Sequence, residues 1–115
     1  MDYVHIDGLV FRGKHGYYIA ERRTEQEFAV SVKMAFDTAP AGVSDKLKDT
    51  LDYQKVRKII GDRIEGNTCY LVEKLAEDIC TEILEDKRIK NIELTIKKPA
   101  AWYNGTPGIT VFRSN

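Results

Sequence analysis

The hydrophobic period changes twice along the chain, and this change constrains the fold more than any other feature. Near both ends, apolar and polar residues alternate with the period of two that is typical of half-buried strands. Between these regions the apolar residues recur three and four positions apart, which is typical of amphipathic helices. The sequence therefore predicts the element order β-β-α-α-β-β and an α+β fold.

The two periods also indicate where each element lies. Strands are predicted at 3–12, 27–36, 91–98 and 108–113, and helices from residue 52 to a break at 66–67 and over 70–85. Consecutive strands favour antiparallel pairing, and two helices can cover one face of the resulting sheet. We therefore expect a single domain over 1–115, a four-stranded antiparallel sheet with two helices on one face. Its two open edges must be covered, charged or paired with another subunit.

Local signals refine this outline. The apolar residues of the first strand change parity at Gly8, which predicts a β-bulge. Asp52 and Thr68 precede the two helical stripes and are predicted as their N-caps. The polar connection 13–26 contains two glycines and is long for a hairpin turn. Because long loops often carry function, this connection is a place to look for site residues.

The charge balance argues against a nucleic-acid or membrane partner. Among 115 residues, 18 basic side chains offset 18 acidic ones, so the formal net charge is zero. Proteins that bind phosphate backbones or anionic lipids normally carry a basic excess. No apolar run approaches the roughly 18 residues of a membrane span, and the acidic N-terminus does not resemble a signal peptide. We expect a cytoplasmic protein, and the low net charge hints at self-association.

The cysteines and histidines do not form a recognisable site. Cys69 and Cys80 would lie about three turns apart on one helix, which is too far for a disulfide. The two histidines are scattered, so no metal-ligand spacing is present. We predict two free thiols and no metal site.

Lys98 is the residue that the strand pattern leaves unexplained. Ile92, Leu94 and Ile96 share one side of the third strand, and the same parity places Lys98 on that apolar side before Pro99 ends the ladder. A lysine at a strand end can run its stem along apolar surface. A lysine partly removed from water can also act as an acid, a base or a Schiff-base amine. The pattern alone leaves both interpretations open.

Other polar residues have similarly open interpretations. Glu73, near the start of the second helix, is either a surface acid that complements the helix dipole or an acceptor for the paired N–H donors of a guanidine-like ligand. In the second case, backbone N–H groups of Leu71 and Val72 add donors. Tyr53, at the start of the first helix, is a core aromatic or a proton relay. Glu21, in the long connection, is by pattern an ordinary solvated charge.

Four motifs, taken in order and spacing, resemble the dihydroneopterin aldolase family of folate biosynthesis. They are IDGLVFRGKHGYYIAER followed by QEF, SDKLKDTLDYQKV, LVEKLAEDI, and IKKPAA with GITVFR, and they span essentially the whole chain. The resemblance implies the tunnelling fold, whose β-β-α-α-β-β subunits associate through their sheets into a ring barrel, as a homo-tetramer or homo-octamer. It also implies active sites between subunits.

The resemblance further implies an activity and roles for individual residues. The family cleaves the pterin substrate 7,8-dihydroneopterin by a retro-aldol step to 6-hydroxymethyl-7,8-dihydropterin and glycolaldehyde, without metal, Schiff base or other cofactor. Its motifs place the catalytic lysine at Lys98, a neighbouring subunit's tyrosine at Tyr53 and the loop glutamate at Glu21. The pterin anchor falls on Glu73, with backbone contacts at 71–72.

Two alternatives remain beside this interpretation. The paralogous dihydroneopterin triphosphate epimerase shares the helix motif but lacks the Lys-Pro pair, so Lys98 and Pro99 favour the aldolase. A non-catalytic pterin-binding paralogue would bind ligand without depending on Lys98. Because family members also epimerise their substrate, we expect a side epimerase activity. The contacts of the loop 99–106 stay open.

Overall fold

The computed structural model describes all 115 residues. Its strands are β1 (Asp2–Gly13), β2 (Gln26–Phe36), β3 (Asn91–Lys97) and β4 (Gly108–Ser114). Its helices are α1 (Ile19–Arg23), α2 (Ala39–Ser44), α3 (Tyr53–Glu65) and α4 (Val72–Ile83), with a 3₁₀ turn at Leu47–Asp49. The predicted order of four strands and two long helices is therefore confirmed. The short helices α1 and α2 were not predicted, since five or six residues are too few to show a helical period.

The strands form one antiparallel sheet in the order β1-β2-β3-β4. One side of each central strand is buried against α3 and α4, while the other side faces away from them. The buried core joins the sheet residues Phe28, Val30, Val32, Met34, Ile92, Leu94 and Ile96 to the helix residues Val56, Ile60, Ile64, Leu75, Ile79 and Ile83. Each such side chain contributes about 1.5–3 kcal/mol through burial, so this layer holds the helices on one face of the sheet.

The bulge predicted at Gly8 is confirmed. Ile6 pairs with Val32 and Leu9 pairs with Val30, so two residues of β1 stand opposite one residue of β2. Gly8 has a φ of 68°, a left-handed conformation that glycine adopts without strain. Its N–H donates to the Ser31 hydroxyl at 3.0 Å. The bulge thereby turns both Ile6 and Leu9 towards the core.

One helix cap is confirmed and the other is wrong. The Asp52 carboxylate accepts a hydrogen bond from the N–H of Gln54 at 3.0 Å and caps α3. Thr68 does not cap α4, because the N-cap position is Leu71 and no side chain caps this helix. The physical reason is tertiary, since the N–H and C=O of Cys69 both bond to the loop after β1 and hold this segment out of the helix.

Both cysteines are free thiols, as predicted. Burial raises the pKa of the Cys80 thiol to about 11, so it stays protonated and inert at neutral pH. No helix in the chain is long and apolar enough to cross a membrane.

A prediction concerns Gly13, at the end of β1. A Cβ atom at this position would lie 2.2 Å from the backbone oxygen of Ile64 at the end of α3. Neither backbone can move without disturbing the core, so Gly13→Ala should destabilise the fold by about 2 kcal/mol or more. Gly42→Ala, in the open interior of α2, is the matched control. Thermal unfolding should show a large fall of the midpoint for Gly13→Ala and no fall for Gly42→Ala; equal midpoints would contradict the close approach.

Candidate active site

Lys98 follows directly after β3 and lies at the end of the sheet. Its N–H donates to the carbonyl of Pro107 at 3.0 Å, and its own carbonyl accepts from the N–H of Ala101 at 3.2 Å. These two bonds fix the backbone where the ladder ends and the 99–107 loop begins. The Lys98 side chain is 16% exposed, and its ammonium donates to the Oε2 atom of Glu21 at 2.8 Å.

Glu21 is supplied by α1, the short helix in the long connection. Its side chain is 24% exposed, and the amide of Gln26 donates to the same oxygen at 3.3 Å. Burial alone would raise the pKa of this carboxyl. The hydrogen bond and charge of Lys98, together with the Gln26 amide, outweigh burial and hold the pKa below its ordinary value. The Glu21 carboxyl is therefore ionised at neutral pH.

Gly16 makes room for this arrangement. A Cβ atom at Gly16 would lie 2.4 Å from the carboxyl carbon of Glu21, so only glycine lets the glutamate side chain fold back over the loop. The glycine of the His-Gly pair is thus needed for the position of Glu21.

The ion pair lines an open cavity of about 600 Å³. The other lining residues come from α1, from the start of β2 and from the 99–107 loop, and they include Tyr18, Gln26, Trp102 and Pro107. Trp102 and Gln26 were not predicted as site residues. A second cavity, of about 510 Å³, lies beside α3 and α4 and contains none of the predicted site residues.

Glu73 lies in the first turn of α4 and does not line the cavity of the ion pair. Its carboxylate is exposed and forms neither an ion pair nor a hydrogen bond within the chain, and the adjacent Lys74 pairs instead with Asp78 at 2.8 Å. The backbone N–H groups of Leu71 and Val72 also have no acceptor within the chain. The start of α4 therefore presents one acceptor side chain and two donors to solvent.

Tyr53 is separated from the other predicted residues. It is the first residue of α3, its side chain is 56% exposed, and it lines neither of the two cavities described above. One copy of the chain therefore brings Lys98 and Glu21 together and leaves Tyr53 outside their cavity.

His15 was missed by the sequence analysis, which treated the histidines only as metal ligands. Its imidazole is completely buried, donates through Nε2 to the Ile64 carbonyl at 2.7 Å and accepts at Nδ1 from the Cys69 N–H at 3.0 Å. Burial lowers the pKa of His15, with a smaller contribution from the charge of Lys98, against the opposing effect of the Ile64 carbonyl. The signal in the sequence was the His-Gly pair two residues after the end of a strand.

Comparison with known proteins gives this site a context. The dihydroneopterin aldolase family (FolB) matches residues 4–111. A dihydroneopterin aldolase of Streptomyces coelicolor is 37% identical over 101 residues, which cover 88% of this chain and 85% of the relative. One from Streptococcus pyogenes serotype M1 is 32% identical over 117 residues, or 98% of each chain.

The fold matches a solved structure equally well. The crystal structure of E. coli dihydroneopterin aldolase in complex with neopterin has a TM-score of 0.90 and 28% identity, and the match covers 99% of this chain and 100% of that one. Urate oxidase from Bacillus sp. TB-90, with a TM-score of 0.65 at 13% identity, shares the fold alone. Because the family match extends over almost the whole sequence and agrees with the fold, this chain belongs to the dihydroneopterin aldolase family.

Proposed function

We propose that the cavity of Lys98 and Glu21 is where this aldolase cleaves the side chain of 7,8-dihydroneopterin. The observation that carries the proposal is the ion pair, in which a half-buried ammonium and carboxylate lie 2.8 Å apart beside a cavity. A retro-aldol step must remove a proton from one oxygen and deliver one to carbon. A donor and an acceptor held side by side support the first of these transfers.

The proposed reaction breaks the bond between the first and second carbons of the substrate side chain. The hydroxyl of the second carbon gives up its proton, and its oxygen becomes the carbonyl of glycolaldehyde. The electrons of the broken bond move into the ring imine and form an enol. Protonation of the first carbon then yields 6-hydroxymethyl-7,8-dihydropterin. We propose that Lys98 acts with a water in moving the hydroxyl proton: the Glu21 carboxylate accepts the proton through the water, and the Lys98 ammonium donates a hydrogen bond that stabilises the oxygen losing it. We assign protonation of the enol to Tyr53.

Glu73 is the proposed anchor for the pterin ring. The ring presents a guanidine-like edge with two parallel N–H donors, which suits a carboxylate that accepts two hydrogen bonds. The Glu73 carboxylate has no partner within the chain, and the start of α4 favours its ionised form. The free N–H groups of Leu71 and Val72 add donors for the polar atoms of the ring.

We propose further that the complete site needs a second copy of the chain. Tyr53 lies outside the cavity of Lys98, which supports a tyrosine supplied to that cavity by a neighbouring subunit. The edge strands β1 and β4 each have one unpaired side, and they provide surfaces for sheet extension. This supports a ring of subunits, either a homo-tetramer or a homo-octamer. The cytoplasmic location stays a prediction.

The triphosphate epimerase is less well supported. Its substrate would need a basic group for the phosphates, and Arg22 and Arg23 are the nearby candidates. The Arg22 guanidinium already donates to the carbonyls of Gly16 and Tyr17 and lies 4.3 Å from the ring centre of Tyr70. An Arg22 committed to these contacts is a poor phosphate ligand, which leaves Arg23 as the one uncommitted candidate of the two and gives the epimerase less support than the aldolase. A side epimerase activity on the unphosphorylated substrate stays a prediction.

The roles of Lys98 and Glu73 predict opposite kinetic effects. Lys98→Ala should lower kcat for 7,8-dihydroneopterin by about a hundredfold or more and leave binding of the substrate almost unchanged. Glu73→Ala should mainly raise KM. Lys97→Ala is the matched control, because Lys97 is the exposed last residue of β3 and does not line the cavity of Lys98. Glycolaldehyde release gives the rates. Effects confined to KM in both variants, or borohydride trapping of substrate on Lys98, would contradict these roles.

The shared site predicts complementation between inactive variants. When Lys98→Ala and Tyr53→Phe subunits are unfolded, mixed in equal amounts and refolded, about a quarter of the sites should combine an intact Lys98 with a neighbour's intact Tyr53. Glycolaldehyde release should then rise well above the sum of the separate variants. Each variant refolded alone is the control. A mixture that is only as active as that sum would place both residues in one subunit's site.

The Glu21–Lys98 pair predicts a stability change in acid. A carboxylate with a lowered pKa in the folded state stabilises the fold above its ordinary pKa of 4.5, and this stabilisation is lost as the pH falls through the lower folded value. The thermal midpoint of the wild type should exceed that of Glu21→Gln at pH 7, and the difference should vanish in acid. Glu25→Gln, which removes an exposed partner of Arg12, should change little at any pH. A difference independent of pH would contradict the ion pair's contribution.

A further inference from the structure

We infer that His15 is a positioning residue that sets the distance between the pterin-binding start of α4 and the proton-moving pair. The imidazole does not line the substrate cavity, so it has no direct contact with the reacting atoms. It touches the two segments that do carry site residues. The inference rests on the roles proposed above for Glu73, Glu21 and Lys98.

The hydrogen bonds of His15 determine its tautomer. Nδ1 faces the N–H of Cys69 and must accept, while Nε2 faces the carbonyl of Ile64 and must donate. The ring is therefore neutral, with its proton on Nε2, and both nitrogens are satisfied without water. A completely buried imidazole with two backbone partners has no freedom to turn, and the edge of Phe28, 5.4 Å away between ring centres, packs against it.

These two bonds fasten the connection between α3 and α4. The Ile64 carbonyl belongs to the last turn of α3, where carbonyls lack partners within the helix. The N–H of Gly16 donates to the carbonyl of Cys69 at 3.0 Å, so the residues 15–16 bind both polar groups of Cys69. These bonds of residues 15–16 to Ile64 and Cys69, here called the clamp, hold the chain two residues before Leu71, the N-cap position of α4, which no side chain caps.

Each side of the clamp leads to a site residue. On the loop side, Gly16 accommodates the folded side chain of Glu21, which holds Lys98. On the helix side, Cys69 is followed by the start of α4 with Glu73. Arg22 adds a second tie, since its guanidinium bonds to the Gly16 carbonyl and stacks on Tyr70. A change in the Cys69 bond would therefore move Glu73 relative to Glu21 while leaving the ion pair intact.

Two conservative variants separate the two bonds. His15→Asn places an amide oxygen near the Nδ1 position and keeps an acceptor for the Cys69 N–H. His15→Gln places an amide nitrogen near the Nε2 position and keeps the donor to Ile64, but loses that acceptor. We expect His15→Gln to raise the Kd for neopterin and the KM for 7,8-dihydroneopterin by roughly tenfold, with kcat within about twofold. We expect His15→Asn to stay within about threefold of the wild type in all three.

Controls distinguish positioning from loss of stability. Ile79→Val removes a methyl group from the core, far along α4 from the clamp, and should lower the thermal midpoint without changing Kd or KM. Exchange of the Cys69 amide hydrogen should be fast in His15→Gln and slow in His15→Asn and the wild type. If His15→Gln does not fold, the affinity of folded His15→Asn for neopterin decides. A tenfold weaker affinity of His15→Asn would overturn the inference, and an affinity equal to that of the wild type would support it.

Glu73→Ala is measured in parallel with the same neopterin titration. Unchanged affinity in Glu73→Ala would contradict the proposed anchor itself. Weakened binding in Glu73→Ala together with wild-type affinity in folded His15→Gln would overturn the positioning role of His15 and leave the proposed function intact.

Discussion

The half-buried ammonium of Lys98 needs a carboxylate close by, and this need accounts for the structure of the connection between β1 and β2. An ammonium with 16% exposure at the end of a buried strand loses most of its hydration, and a charge in that position persists only with a close partner. The carboxylate of Glu21 meets the requirement at 2.8 Å from a residue 77 positions away in sequence. The connection between β1 and β2 is therefore long, because it must carry a carboxylate from one hairpin end to the end of β3.

This requirement explains features of the connection that are otherwise unrelated. The short helix α1 orients Glu21 towards the sheet, and Gly16 leaves space for its side chain. Gln26, at the start of β2, donates to the same carboxylate oxygen that accepts from Lys98. A charge pair of this kind adds little net stability, since the cost of removing both groups from water offsets their attraction. The pair therefore fits better with the proposed proton transfer than with a purely structural role.

Much of the fold could be predicted because it follows from local patterns. Alternating apolar residues located all four strands, the parity change at Gly8 located the bulge, and Asp52 was recognised as a cap from its own sequence neighbourhood. The same parity argument singled out Lys98. The start of α4 could not be predicted in this way, because the segment around Thr68 is held out of the helix by bonds from His15, more than fifty residues earlier. A local pattern contains no information about such a partner.

The candidate site shows the same contrast between features set by local sequence and features set by distant contacts. Parity and helix position marked Lys98 and Glu73 individually, but the pairing of Lys98 with Glu21 depends on how a loop folds back over the sheet. Tyr53 poses a further limit, since it is exposed and lies outside the cavity of Lys98, and its proposed role requires a second subunit. If the site is shared between subunits as proposed, it depends on rigid relations inside each subunit, because errors in position add at the interface. The buried imidazole of His15, which we infer to have a positioning role, joins a loop to two helix ends through its bonds to backbone atoms of Ile64 and Cys69, and it does so without lining the cavity of Lys98.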